Sequence, residues 1–278
     1  MKKESHQVIK STGEKADFSI AKLRGSLFKS GADELTVDSI INVVRDELYQ
    51  GISTKEIYNR AFALLKNSKS IYASKYKLKR AIYELGPTGF PFENFIGALM
   101  EYSGYQVEVG KIMQGKCVSH EVDVVASKNE QHIVAECKFH SEKTTTCNVK
   151  VPLYIHSRYQ DIIAQYKNTP KCPNEGWVVT NTRFTTDAIT FGKCAGLYLL
   201  SWDYPENNGL KDRIDRLGLY PITASTLLTN REKQFLLSRE IVLCRQLEKD
   251  VFYLDHLGIS EIRKAKILAE ISMLSNTN

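Results

Sequence analysis

HEVDVVASKNEQHIVAECKFH, residues 120–140, decides how this chain is read. It looks like two strands joined by a polar turn, SKNEQ. Val122, Val124 and Ala126 alternate with Glu121, Asp123 and Val125 in the first run. Ile133, Ala135, Cys137 and Phe139 alternate with His132, Val134, Glu136 and Lys138 in the second. Alternation with a period of two, bounded by polar residues, is a hairpin signal. Residues two apart on a strand share a face. Glu136 and Lys138 therefore point the same way, and Asp123 joins them if the register allows. Two carboxylates at short range hold a hard cation such as Mg²⁺, and a neighbouring lysine orients water or stabilises phosphate charge. The competing reading is an ordinary hairpin with a solvated charged face.

The flanking segments favour the chemical reading. FENFIGALMEYSGYQVEVG (92–110) has the pattern of an amphipathic helix, a glycine turn and a strand. WVVTNTRFTTDAITFGKCAGLYLLSWD (177–203) has that of a strand, a helix and another strand. Together, residues 90–203 resemble the PD-(D/E)xK nuclease superfamily, and within it the Mrr-like, type IV restriction endonucleases. The resemblance implies an α/β fold with a restriction-endonuclease-like mixed sheet flanked by helices. It implies a site built from Glu93, Asp123, Glu136 and Lys138, with Asp123 and Glu136 as the Mg²⁺ ligands. It also implies a DNA substrate and a role in restriction or defence. Glu93 has a second reading, as a carboxylate complementing the helix dipole in the first turn.

Length and composition set the bounds. The chain has 278 residues, enough for two or three small domains. Hydrophobic residues make up 42% and charged residues 25%, which fits a globular chain rather than a disordered one. No apolar run is long enough for a membrane span, and MKKESHQ is not followed by an apolar signal region. The six cysteines form no CxxC pair, which argues against a zinc site and fits a reducing cytoplasm. The formal charge of +6 is compatible with nucleic-acid binding without establishing it.

Residues 7–20 read as a hairpin with STGEK as its turn. Helices are predicted near Ile20–Ser30, from Thr36 or Asp38, from Ser53 or Thr54 with Glu56 placed for a capping box, and over 70–85. Val8, Lys10, Gly13, Phe18, Lys22, Ser53, Thr54, Ile57, Tyr76 and Arg80 stand in an order that resembles the ATP-cone, a small nucleotide-binding module. Ser11 and Ala16 stand where that family carries an arginine and an acidic residue. The resemblance implies a mainly helical N-terminal domain with Lys10, Gly13, Lys22 and Thr54 near ATP or dATP as effector. Lysines and a hydroxyl by a helix start suit phosphate.

GPTGFPF (86–92) and DYPENNGL (203–210) mark boundaries. The resulting domains are 1–88, ATP-cone-like; 89–222, nuclease; and 223–278, helical. FYLDHLGISEIRKAKILAEI resembles a helix–hairpin–helix in which Arg263, Lys264 and Lys266 add phosphate contacts. The loop after Lys138 is a substrate-facing segment or a solvated one. A helix over 156–166 turns Tyr159, Ile162, Ile163 and Tyr166 inward and offers Arg158, Gln160 or Gln165 to the site. Thr185 or Thr186 caps a later helix, beside which Arg183 is a phosphate contact. His120 and His140 are expected at the surface or facing substrate.

The resulting expectation is a Mg²⁺-dependent endonuclease acting on DNA as a homodimer or larger assembly, with no membrane partner. The alternative is a nucleotide-sensing DNA-binding regulator that does not cut.

Overall fold

The computed structural model describes residues 6–10 and 12–276. A hairpin, β1 (Gln7–Ile9) and β2 (Lys15–Asp17), opens the chain. Five helices follow: α1 (Ile20–Lys29), α2 (Glu34–Asp46), α3 (Thr54–Ser68), α4 (Ser70–Tyr76) and α5 (Leu78–Tyr83). α2 starts earlier than its apolar pattern predicts, because Asp33 accepts the Thr36 N–H and acts as the cap. Ser53 caps α3, but the Glu56 carboxylate bonds Tyr49 and Arg60 instead of closing a capping box. The single helix predicted over 70–85 is divided at Lys77.

α6 (Phe90–Glu101) leads into β3 (Gln106–Gln114), β4 (Ser119–Lys128) and β5 (Gln131–Lys138), and then into α7 (Lys150–Tyr166). β6 (Glu175–Thr180), α8 (Thr186–Cys194) and β7 (Tyr198–Leu200) complete a five-stranded mixed sheet in the order β3-β4-β5-β6-β7. β3, β4 and β5 are antiparallel neighbours, whereas β5, β6 and β7 run parallel. Parallel strands need a crossover, which α7 and α8 supply. α9 (Leu210–Leu217), α10 (Asn230–Leu237), α11 (Cys244–Lys249), α12 (Phe252–His256) and α13 (Glu261–Ser275) form the helical C-terminus. No helix among the described residues is long and apolar enough to cross a membrane.

The sheet is covered on both faces. Ile133, Ala135 and Cys137 pack with Phe92, Phe95 and Ile96 of α6, while Val134 packs with Ile155, Tyr159 and Ile162 of α7. Gly97 lets α6 lie close to β3, since a Cβ there would come within 2.7 Å of Val109. One cluster of buried residues runs without a break from α5 through α6 and the sheet to Leu274 of α13. α5 thus shares the sheet's core, although its sequence position assigns it to the segment 1–88. The separate N-terminal cluster joins the helices from Leu23 to Ala73.

Candidate functional site

The hairpin forms as read, with a tighter turn: Lys128 pairs with Gln131. Its faces differ from strict alternation. Val124 and Ala126 join the core under α6, but Val122 joins the core under α7. The change of face falls at Asp123. The ladder to β5 ends at the Val124–Ala135 pair, and the Asp123 carboxylate accepts the Cys137 N–H at 2.7 Å in place of a backbone carbonyl. Opposite Asp123 on β3 stands Gly110, with φ +65, a left-handed conformation that glycine adopts without steric cost. Asp123 lies close enough to Glu136, at the end of the hairpin, to act on its charge.

Glu93, Asp123 and Glu136, from three different elements, converge. Burial, then Asp123 and Glu121, push the Glu93 carboxyl up to about 7. Burial and then Asp123 push Glu136 up to about 7, against the pull of Arg158. Burial also raises Asp123, opposed by the Cys137 N–H, Arg158 and Lys138. Desolvation and like charge at close range disfavour the ionised form. Arg158 faces this negative charge from α7, with its guanidinium 2.6 Å from the Glu136 carboxylate and a second bond to the Glu121 carbonyl. Of the three polar residues that the sequence offered from this helix, Arg158 is the one that reaches the site.

Lys138 ends β5, exposed, beside Thr180 of β6. The chain on either side of it is fixed by buried polar groups. The Thr180 hydroxyl donates to the Lys138 carbonyl at 2.8 Å. The fully buried Asn181 accepts the His140 N–H and donates to the His140 carbonyl, both at 2.8 Å. In the sequence, Thr180 and Asn181 are marked only as a polar pair at the end of an apolar strand. His140 is half-buried: its Nε2 is buried without a partner, and burial and then Lys138 lower its pKa.

Other expected contacts are committed elsewhere. His120 pairs with Asp161 at 2.8 Å, and Asp161 also accepts the Cys117 and Val118 N–H groups, so this histidine closes the β3–β4 turn. Arg183 pairs with Asp203 at 2.7 Å, and Thr185 is the cap of α8. Arg263 bonds both Glu232 oxygens at 2.6 Å, and Lys264 pairs with Asp255. The predicted helix, turn and helix are present as α12 and α13, but Arg263 and Lys264 tie helices together rather than facing outward. Lys150 begins α7.

Two carboxylates suffice for Mg²⁺, which keeps several waters. Asp123 and Glu136 supply them, and a cation would offset the desolvation and the like-charge repulsion that raise these carboxyls. Among the described residues no group of three or more His, Cys, Asp or Glu is arranged to hold a metal. A cation would have to share Glu136 with Arg158.

In the N-terminal unit, Lys10, Lys22 and Thr54 line one cleft of ≈ 290 Å³ together with Phe18, Tyr58 and Tyr76. Tyr58 and Tyr76 stack with ring centroids 5.0 Å apart. Ala16 also lines this cleft, and Ser11 lies outside the described residues. Gly13 does not line it; with φ +84 it shapes the hairpin turn.

The chain is 33% identical over 178 residues to an uncharacterized protein of Archaeoglobus fulgidus, a match that spans 62% of this chain and 95% of that one. It belongs to the AF1548-like family. Residues 220–275 match the family described as AF1548-like, C-terminal. The crystal structure titled as a protein of unknown function, AF1548, superposes with a TM-score of 0.55 at 28% identity, over 67% of this chain and 98% of that chain. The AF1548-like match at 220–275 takes in α10 to α13, the helices that complete the core beneath α6.

Proposed function

We propose that this protein is a Mg²⁺-dependent endonuclease that hydrolyses phosphodiester bonds in DNA, in restriction or defence. The observation that carries this reading is the convergence of Glu93, Asp123 and Glu136 from α6, β4 and β5, with Lys138 at the strand end. Asp123 and Glu136 would hold the cation, which when bound supplies Lewis acidity and an activated water. Asp123 is oriented by the Cys137 N–H. Lys138 orients the attacking water or stabilises charge on the phosphate, and the bonds of Thr180 and Asn181 fix its backbone. Glu93 would support the cation or the attacking water from α6.

A basic group gathers around α5. Lys79 sits over the Trp202 ring at 5.6 Å, and Lys143 over Tyr83 at 5.9 Å. Burial, then Arg183, Lys143 and Lys211, lower the Lys79 pKa, so these cations share one region. Such a group suits a phosphate backbone. Cutting both strands of a duplex calls for two sites, most simply in a homodimer. ATP or dATP in the cleft of Lys10, Lys22 and Thr54 would regulate activity, with phosphates at the start of α3 and the base near Tyr58 and Tyr76.

The test is cleavage of plasmid DNA with and without Mg²⁺. Asp123→Asn, Glu136→Gln and Lys138→Ala should each remove cutting while duplex binding persists. Mg²⁺-independent cutting, or cutting retained in all three variants, overturns the reading. Duplex binding with no cutting by the intact chain favours the regulator, for which the cleft of Lys10 and Lys22 is the supporting feature. Calorimetry with ATP and dATP on the full chain and on Lys10→Ala and Lys22→Ala tests the effector site.

A further inference from the structure

A second polar cavity, ≈ 510 Å³, lies where α5 meets the C-terminal helices. Lys77, Arg80 and Glu84 line it from one side, and Thr223, Lys233 and Gln234 from the other. Three cations therefore face one carboxylate, and that carboxylate is already engaged: Glu84 pairs with Lys77 at 2.6 Å and with Arg80 at 3.0 Å. Lys77 also donates to the Thr223 carbonyl at 3.0 Å. Lys233 is left over. It is only 5% exposed, among the described residues its ammonium bonds no carboxylate or carbonyl, and the Lys77 ammonium stands beside it. The other charged group near it, Glu270 of α13, is taken up by Ser74, Ser225 and Thr226. Cys244 of α11 is a buried thiol nearby, pushed up by burial, whose Sγ donates to the Pro221 carbonyl.

Two ammonium groups side by side in a largely screened cavity are unfavourable unless an anion joins them. We propose that this cavity binds the terminal phosphate group of a small molecule, with Lys233 as the buried anchor and Lys77 and Arg80 completing the contact. A terminal phosphate offers three acceptor oxygens and enters end-on. A duplex backbone presents only diesters along a broad surface and does not reach a group this deeply placed. Lysine suits the role as a compact point charge. Burial and then Lys77 lower the Lys233 pKa to about 8, whereas Glu84 and Glu270 act in the opposite direction. A bound anion raises it, so binding near pH 8 takes up protons.

The experiment is calorimetry on the full chain at pH 8 with inorganic phosphate and with pyrophosphate, in two buffers of different ionisation enthalpy. Both ligands should bind with net proton uptake. Lys233→Met should weaken binding at least about tenfold, as expected for loss of a charged contact, and abolish the uptake. Its unliganded fold should be at least as stable as the parent. Lys10→Ala with Lys22→Ala should retain the uptake, which separates this cavity from the N-terminal cleft. If Lys233→Met does not fold, Arg80→Gln, at a largely exposed position, should weaken binding instead. Equal affinity and uptake in the Lys233 variant, or no heat with either ligand at millimolar concentration, overturns the assignment. A duplex without terminal phosphates that competes for the site through Lys233 also overturns it, in favour of a backbone contact.

Discussion

Arg158, on α7, holds the carboxylate of Glu136 on β5 at 2.6 Å. The pair joins helix to sheet where negative charge accumulates. Arg158→Gln leaves Glu136 with less compensation and raises its pKa further above the ordinary value. A carboxyl whose folded pKa is raised contributes stability below its unfolded value and loses it as pH rises through the folded one. The deficit should therefore be smallest below about pH 4.5, where only the bond to the Glu121 carbonyl is lost. By pH 8 it should be less stable by about 1–3 kcal/mol, the range for stranding a partly buried polar group. Excess Mg²⁺ should restore much of the loss, as thermal unfolding across pH would show. Equal stability of the two proteins at pH 8 would mean that the pair carries no net weight.

Asp123 is a structural acceptor as well as a charge. Asp123→Ala strands the Cys137 N–H and should lower stability by about 1–3 kcal/mol. Asp123→Asn keeps an acceptor and should lie within about 1 kcal/mol of the parent. From sequence alone, removing any of these charges would be expected to leave stability unchanged or to raise it. The 2.7 Å bond to the Cys137 N–H reverses that expectation for alanine at this position. Urea titrations of both variants distinguish the two outcomes.

Asn181 acts on Lys138 through the backbone of His140. Asn181→Ala removes both bonds and should lower stability by about 1–3 kcal/mol. The cleavage rate should fall with unchanged affinity for duplex, because only the position of Lys138 is disturbed. A rate equal to the parent's, measured at saturating Mg²⁺, would remove Asn181 from the positioning set.

Glu232 and Arg263 give the opposite pH dependence. The Arg263 bonds hold the Glu232 carboxyl down to about 2. A depressed carboxyl contributes stability above its unfolded pKa and loses it as pH falls through the folded value. Between about pH 4.5 and pH 2, the parent should lose on the order of 1 kcal/mol that Glu232→Gln does not lose; the figure is modest because Arg263 is over a third exposed. Acid melts of the two proteins, compared at matched ionic strength, measure the difference.

Gly97→Ala tests whether α6 must lie close to the sheet. The new Cβ would sit 2.7 Å from Val109, and overpacking of this kind costs about 1–3 kcal/mol. Because α6 carries Glu93, cleavage should fall with stability, and a melt paired with an activity assay reports both.

The hairpin of 120–140, the helices around it and the N-terminal cleft residues were legible because period and cap chemistry are local signals. The change of face at Asp123 was not, since it depends on how β4 pairs with its neighbours. Choosing Arg158 over Gln160 and Gln165 required the phase of α7 against β5, which spacing along one helix does not supply. Arg263 and Lys264 looked like free cations because their acceptors, Glu232 and Asp255, lie on other helices. The break at Lys77 was hidden for a similar reason: its partner is the Thr223 carbonyl, far along the chain.

That break has a mechanical consequence. Tyr76 forms part of the wall of the N-terminal cleft, and the next residue, Lys77, is fastened to Thr223. One peptide unit therefore joins a cavity in the first quarter of the chain to the helices of the last. No slack loop lies between them to absorb a displacement. A shift of α4 that followed filling of the first cavity would pull directly on the frame that supports the sheet.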